Sequence, residues 1–363
     1  MDFIRYETDK NGYQWEARHQ IIDHETKPLT FDLNNPTYEL KNVSNYVRMA
    51  ISPFFVDYLN TSYQTTGLYL QNHIHFSSRL KLLLGIRHER FQDKRKYGNN
   101  LENISQTSWN PRLGLTYKVL PDLTYFASYS QGFKPVSPEF IRNPANYGKN
   151  DPFRSESSYQ AETGLKAELF KGRLFSTFSM YQIERSNMLV NTGQVTDNGN
   201  PVYRQNGKVR SRGLEAEVNG QLLRDMNISV NYAFNQTSVL DTDLEAEKNM
   251  PLANAPRHSA GWWIKYHLPI PKLRGAGVGY GGQYVGERRM ENMEINSAGK
   301  LEWMYWPSYM LNNVSVFYKK NKYGISLNVN NIFDTYYYMG GFEYAQAFPG
   351  SGRNWMLSVG YSF

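Results

Sequence analysis

His73 and His75, two residues apart in QNHIHF, fall on one face of an extended strand, a spacing that two ligands of a metal ion can use. Arg212, Glu215 and Glu217 in RSRGLEAEV set a cation beside two carboxylates, the residue types of general acid–base work. Neither set is complete. No third ligand accompanies the histidines, and no apolar surround is evident that would raise a carboxylate pKa. HIH therefore reads as a polar strand pair and RGLEAE as a solvated wall. No GxSxG, Walker or zinc-peptidase pattern occurs, and a chain without cysteine has neither a thiolate nucleophile nor a disulfide framework. The sequence predicts no catalytic residue and no metal site, so the chain is read as not an enzyme.

The elements that hold these residues are better defined than any site. With 28 Tyr, 19 Phe and 7 Trp in 363 residues, a mean hydropathy of −0.62 and 20% charged residues, the chain is aromatic but polar. A spanning helix needs roughly 18 consecutive apolar residues, and runs such as LKLLLGI stop far short of that. A membrane can still be crossed by strands that hide half their side chains in a wet lumen. The net charge of +7 is spread out, with clusters such as Asp93 to Lys96 falling between predicted strands, which argues against a nucleic-acid partner. The opening MDFIRYETDKNG has neither the apolar core nor the cleavage site of a signal peptide.

Period-two segments recur along almost the whole chain. In SYQAETGLKAELF, Tyr159, Ala161, Thr163, Leu165, Ala167 and Leu169 oppose Gln160, Glu162, Gly164, Lys166 and Glu168. RGLEAEVNGQL sets Leu214, Ala216 and Val218 against Glu215, Glu217 and Asn219, and the closing RNWMLSVGYSF sets Trp355, Leu357, Val359, Tyr361 and Phe363 against Asn354, Met356, Ser358, Gly360 and Ser362. Tight links (77–79, 120–122, 171–172, 224–225, 321–322) alternate with long polar stretches at 93–107, 132–157, 187–209, 239–256, 289–307 and 334–352. Outer-membrane barrels have this alternation of short periplasmic turns and longer extracellular loops. A charge facing lipid at the bilayer midplane costs about 2–4 kcal/mol for a cation and less for a carboxylate, so the charged faces are expected to line a wide lumen. The first sixty residues are expected to add one hairpin, turning at Asp9 to Gly12, and a long loop from 24 to 61. The predicted fold is all-β, a transmembrane antiparallel up-and-down β-barrel, partial, with about 14–15 strands.

Several phrases carry a family resemblance. YSQGFKPVSPE (129–139), QNGKVRSRGLEAEVNG (205–220), NAPRHSAGWWIKY (254–266), YGGQYVGER (280–288) and LNVNNIFDTYYY (327–338), with the closing strand, resemble in order the C-terminal barrel of TonB-dependent siderophore receptors. DLNNPTYE (32–39) is similar to a loop phrase of the ferric hydroxamate branch, so the resemblance runs over about residues 30–363. It implies an outer-membrane transporter of a Gram-negative bacterium, with a barrel of about 22 strands plugged by an N-terminal domain. The implied ligand is a ferric siderophore bound at the extracellular mouth, and no covalent cofactor is implied. The implied partners are the TonB–ExbB–ExbD complex acting on the plug, outer-membrane lipid, and the barrel assembly machinery, to which Phe363 would present the assembly signal. Plug, TonB-contacting segment and signal peptide have no counterpart in this sequence, so residues 1–363 are expected to be the C-terminal part of such a barrel, not competent alone.

For such a ligand the candidate residues lie in the long polar stretches. Tyr147, Phe153, Trp303, Tyr305, Trp306, Tyr336, Phe342 and Tyr344 could stack on a chelate, and Arg154, Arg204 and Arg288 could supply charge to an anionic one. The alternative for Trp303, Tyr305 and Trp306 is an aromatic girdle at the membrane surface. Arg212, Glu215 and Glu217 are expected to line the lumen against a plug. Three functions stay open: a ligand-gated importer, a passive porin-like barrel, and an extracellular β-rich binding protein.

Overall fold

A computed structural model describes residues 2–8, 19–22, 25–28, 61–97, 100–243, 245–295, 301–341 and 347–362. The strands in chain order are β1 (Asp2–Thr8), β2 (His19–Ile22), β3 (Glu25–Pro28), β4 (Thr61–His75), β5 (Leu80–Tyr97), β6 (Asn100–Leu120) and β7 (Leu123–Lys134). They continue as β8 (Glu156–Leu169), β9 (Leu174–Val195), β10 (Pro201–Leu223), β11 (Met226–Asp241), β12 (His258–His267), β13 (Ala276–Val285), β14 (Arg288–Ile295) and β15 (Leu301–Trp306). Last come β16 (Tyr309–Lys320), β17 (Tyr323–Asn330), β18 (Tyr338–Gly341), β19 (Ala347–Pro349) and β20 (Asn354–Tyr361). Fourteen of them form one sheet in the order β1-β4-β5-β6-β7-β8-β9-β10-β11-β12-β13-β16-β17-β20, and β14–β15, β18–β19 and β2–β3 are separate two-stranded ribbons. Among the described residues no helix is long and apolar enough to cross a membrane.

Contacts divide the chain into two units, residues 1–68 with 88–108 and residues 69–87 with 109–363. In the first, β1 pairs antiparallel with β4, Tyr6 opposite Tyr63, and β2 closes on β3 through Ile22 and Glu25. The expected turn at Asp9 to Gly12, most of the loop 24–61, the phrase at 32–39 and the candidates Phe342, Tyr344 and Phe363 lie outside the described residues.

In the second unit, register carries the two faces from strand to strand. Ser128, Glu162, Tyr181, Gly213 and Asn235 are successive partners on β7 to β11, and one step along the same face Glu215 opposes Ser179 and Ala233. The other face presents Tyr125, Leu165, Phe178, Ala216, Tyr232 and Ala260 in one row across β7 to β12, and Val316, Leu327 and Leu357 in another across β16, β17 and β20. A one-residue slip at any pairing would exchange the faces, so the unbroken rows fix the whole series.

Among the described residues the strand positions read from the sequence hold, but three of the long stretches are largely strand, the β14–β15 ribbon taking up most of 289–307. β5 and β6 occupy most of 93–107, while β9 and β10 run through 187–209 and leave only 196–200 as a link. At about 3.4 Å per residue, the 22 residues of β9 rise far beyond an apolar band about 25 Å tall. Beyond the band the two strands satisfy each other's backbone groups, with irregularities at Pro201/Tyr203, Arg204/Gly207 and Gly207/Val209. The opposite end of the sheet has tight turns, as at Asn321, whose φ of 53° suits a two-residue hairpin.

Among the described residues the buried apolar side chains are Val136, Phe153, Leu174, Val239, Met290, Trp306 and Leu311, with Met290 and Trp306 fully enclosed. Most belong to the connections at the long-link end, so the buried core sits there rather than within the sheet.

Candidate ligand-binding site

Two clusters form at the long-link end of the second unit. The first is built on the connection between β7 and β8. Pro138 at the first position of a short helix α1 (Pro138–Arg142) has no N–H to leave unpaired, Glu139 stands in its first turn and Arg142 in its last, in accord with the helix dipole. A 3₁₀ turn, Pro144–Tyr147, follows and is stopped by Gly148 at φ 76°. A Cβ there would meet Val202 Cγ1 at 2.7 Å, so the glycine permits both the turn and its close approach to β10.

These bends gather aromatic rings around Phe140. Its ring centroid is 4.3 Å from Tyr147, 5.1 Å from Phe153 and 5.3 Å from Tyr203, the last two edge-on. Lys149 Nζ lies 4.7 Å from the Phe153 centroid. Arg154 N donates to Gln205 Oε1 at 2.8 Å and Gln205 Nε2 donates back to the Arg154 carbonyl, which fastens the loop to β10. Phe153 is buried beneath this cluster, Tyr147 is half-buried, and Arg154 is exposed. Arg204 is exposed and pairs with Asp243 at 3.4 Å.

The second cluster gathers the β11–β12 connection, the β14–β15 ribbon and β18. Arg289 Nε donates to the Pro251 carbonyl at 2.7 Å, and its guanidinium lies 4.0 Å from the Trp303 ring centroid. Arg288 Nη2 donates to the Tyr338 carbonyl at 2.8 Å, with its guanidinium 5.3 Å from the Tyr309 ring. Asn254 joins the three connections, its N–H donating to the Arg289 carbonyl and its Nδ2 to that of Gly341. Trp306 is enclosed and sits 5.2 Å from the Tyr338 ring; Trp303 Nε1 donates to the Ala246 carbonyl at 3.2 Å. Burial lowers the pKa of both arginines from the ordinary guanidinium value, with nearby Tyr309 opposing it at Arg288 and Glu247 opposing it at Arg289.

The structure thus brings Tyr147 and Phe153 together in the first cluster and Arg288, Trp303 and Trp306 in the second. Tyr305 and Tyr336 are exposed, and Tyr336 Oη donates to Tyr338 Oη at 3.1 Å. Phe140, Tyr203 and Arg289 hold the clusters and were not evident from sequence. The Pro–Pro–Gly punctuation at 138, 144 and 148 is a signal for the first, and the doubled arginine a signal for the second.

Lower on the sheet, Arg212 is separated from Glu215 and Glu217. Arg212 opposes Gln182 and Gln236 on the apolar face, whereas the glutamates open into a polar hollow of about 600 Å³ with Glu162 and Lys166. The sequence reading that placed all three on one wall is therefore corrected by register, since residues of opposite parity point to opposite faces. His73 Nε2 lies 2.9 Å from Gln71 Nε2, and among the described residues no three His, Cys, Asp or Glu side chains converge as a metal site would require. What the loop end offers chemically is aromatic planes, cations and backbone carbonyls.

Residues 3–332 match the family described as TonB dependent receptor-like, beta-barrel. The chain is 27% identical over 307 residues to the metal-pseudopaline receptor CntO of Pseudomonas aeruginosa, covering 81% of this chain and 40% of that protein. It is 29% identical over 262 residues to the ferric-pyoverdine M114 receptor PbuA of Pseudomonas sp. strain M114, covering 70% of this chain and 29% of that one. The ferripyoverdine receptor of the Pseudomonas aeruginosa outer membrane, solved with ferripyoverdine bound, superposes with a TM-score of 0.71 at 22% identity over 84% of this chain and 39% of its own. The chain therefore spans less than half the length of these relatives.

Proposed function

The chain belongs to the TonB-dependent receptor β-barrel family, and from that premise we propose that residues 1–363 form the C-terminal part of an outer-membrane barrel that imports a ferric siderophore. The observation that carries this reading is the register: across ten neighbouring strands, β6 to β13 with β16 and β17, a polar and an apolar face run on from strand to strand, with the irregularities confined to 118–120, 201–209 and 221–223 near the strand ends. Lipid outside and water inside impose that division. The named relatives include receptors for ferric pyoverdine and for metal-pseudopaline, both metal chelates.

Import of this kind draws on the TonB–ExbB–ExbD complex, and the barrel reaches its membrane through the assembly machinery, with Phe363 as the terminal aromatic. The ligand meets the long-link end. There Tyr305, Tyr336, Arg154 and Arg204 offer exposed stacking and charge, while Tyr147, Phe153, Arg288, Trp303 and Trp306 shape the clusters beneath; Phe342 and Tyr344, proposed for the same role, lie outside the described residues. The chain acts by binding and gating, not by catalysis.

Deleting the gene that carries this chain should abolish uptake of iron presented as one class of chelate, and complementation should restore it. Unchanged uptake across hydroxamate, catecholate and mixed chelates would overturn the transport reading. Protease added to intact cells should cut within 132–157, 239–256 or 334–352 and spare the turns at 171–172 and 224–225; the opposite pattern would invert the orientation.

A further inference from the structure

The apolar face of β9, β10 and β11 ends abruptly. Met180, Leu214 and Phe234 are partners in one row; in the next, Gln182, Arg212 and Gln236 are partners; in the one after, Glu184, Arg210 and Ser238. An open hollow of about 580 Å³ spans the first two rows, walled by Met180, Leu214 and Phe234 below and by Gln182, Arg212 and Gln236 above. Arg212 is exposed, and its Nε and Nη2 both donate to Gln236 Oε1, at 3.2 and 3.1 Å, which holds the guanidinium over the hollow. Arg257 adds a second cation, 5.4 Å from the ring of Phe234.

Charge at this rim is one-sided. Lys208, Arg210, Arg212 and Arg257 stand against Glu184, which Lys208 engages at 2.8 Å, and Asp241, which opposes Lys208 in register. The surplus positive charge belongs to the arginines. A guanidinium cannot lie among acyl chains without a large cost, whereas at the membrane surface that cost nearly vanishes. The Arg212 row therefore marks the hydrocarbon edge, and it marks it at the long-link end of the strands.

The geometry points to a docking site for a phosphorylated glycolipid of the outer leaflet. Its phosphate meets Arg212 and Arg210, with the guanidinium fork matched to two phosphate oxygens. An acyl chain lies along Met180, Leu214 and Phe234, and the Gln182 and Gln236 amides reach sugar hydroxyls. The site rests on the outer-membrane barrel reading, because only that reading puts this face against lipid with the long links outside.

The test uses the gene product that carries residues 1–363, extracted from outer membranes in mild detergent and examined by native mass spectrometry with added diphosphoryl lipid A, its phosphate-free form, or phosphatidylglycerol. Retention of diphosphoryl lipid A at least tenfold above the other two is expected, with loss of that preference in the double variant Arg210→Gln, Arg212→Gln and its preservation in Glu215→Gln on the other face. Equal retention of all three lipids by the natural protein would overturn the site without recourse to any variant, as would an unchanged preference in the double variant. Absence of the protein from outer membranes would instead refute the barrel reading on which the site depends.

Discussion

Trp306 and Trp355 stand at opposite extremes: the first, at the end of β15, is 0% exposed, and the second, on β20, is 73% exposed. The contrast holds for their regions. Around Trp306 the connections at the long-link end bury Met290, Arg288 and Arg289, whereas the sheet leaves Leu70, Leu327 and Val359 bare. In water, bare apolar side chains are costly and a segment must build its own core. In a bilayer, lipid tails do that work, and a strand needs only a consistent outward face. On the proposed outer-membrane reading one chain follows both rules, and the boundary between them runs along the strands, near the Arg212 row on β9 to β11.

The largest effect that tests this contrast is expected at Trp306. Truncating an enclosed tryptophan removes about 3–5 kcal/mol of packing, so Trp306→Ala should expose 286–308 to protease and speed its hydrogen exchange, while Trp355→Ala leaves those loops unchanged. Equal loop protection in both variants would erase the distinction between the regions. Next, Leu214→Arg should destabilise the folded barrel by about 2–4 kcal/mol if it lies near the bilayer midplane and less toward the surface. Glu215→Arg, one residue along, should cost far less, as read by urea titration of heat-modifiable migration. A penalty of the same size for both would show that the two faces meet the same solvent. The smallest effect belongs to Arg204, whose exposed pair with Asp243 is worth about 0–1 kcal/mol. Arg204→Ala should leave unfolding nearly unmoved and, if the residue meets the ligand, lower affinity for a ferric chelate in a binding titration.

The sheet was legible in the sequence because two solvents force a strict alternation. In SYQAETGLKAELF the odd positions are mostly apolar and the even ones mostly polar, so strand and face both follow from the sequence. Between Asn187 and Val209 the alternation lapses, and those residues read as loop although all but the link at 196–200 belong to β9 and β10. The loop site was less legible for a different reason. Phe140 meets Tyr203 and Arg289 meets Pro251 across long stretches of chain, and no local period records such contacts. Composition located aromatics and arginines in the long connections; the fold shows which of the described ones are enclosed and which are exposed.

On the proposed reading the sheet divides lipid from water by residue parity, and a cysteine scan along β10 probes that division against a background in which residues 1–363 hold no cysteine. In outer membranes, Glu215→Cys and Glu217→Cys should react with a small water-soluble maleimide, whereas Leu214→Cys, Ala216→Cys and Val218→Cys should resist it and, carrying a fluorophore attached after denaturation and refolding, be quenched by nitroxide-labelled lipid. Labelling that ignores parity, or that favours positions 214, 216 and 218, would contradict the account.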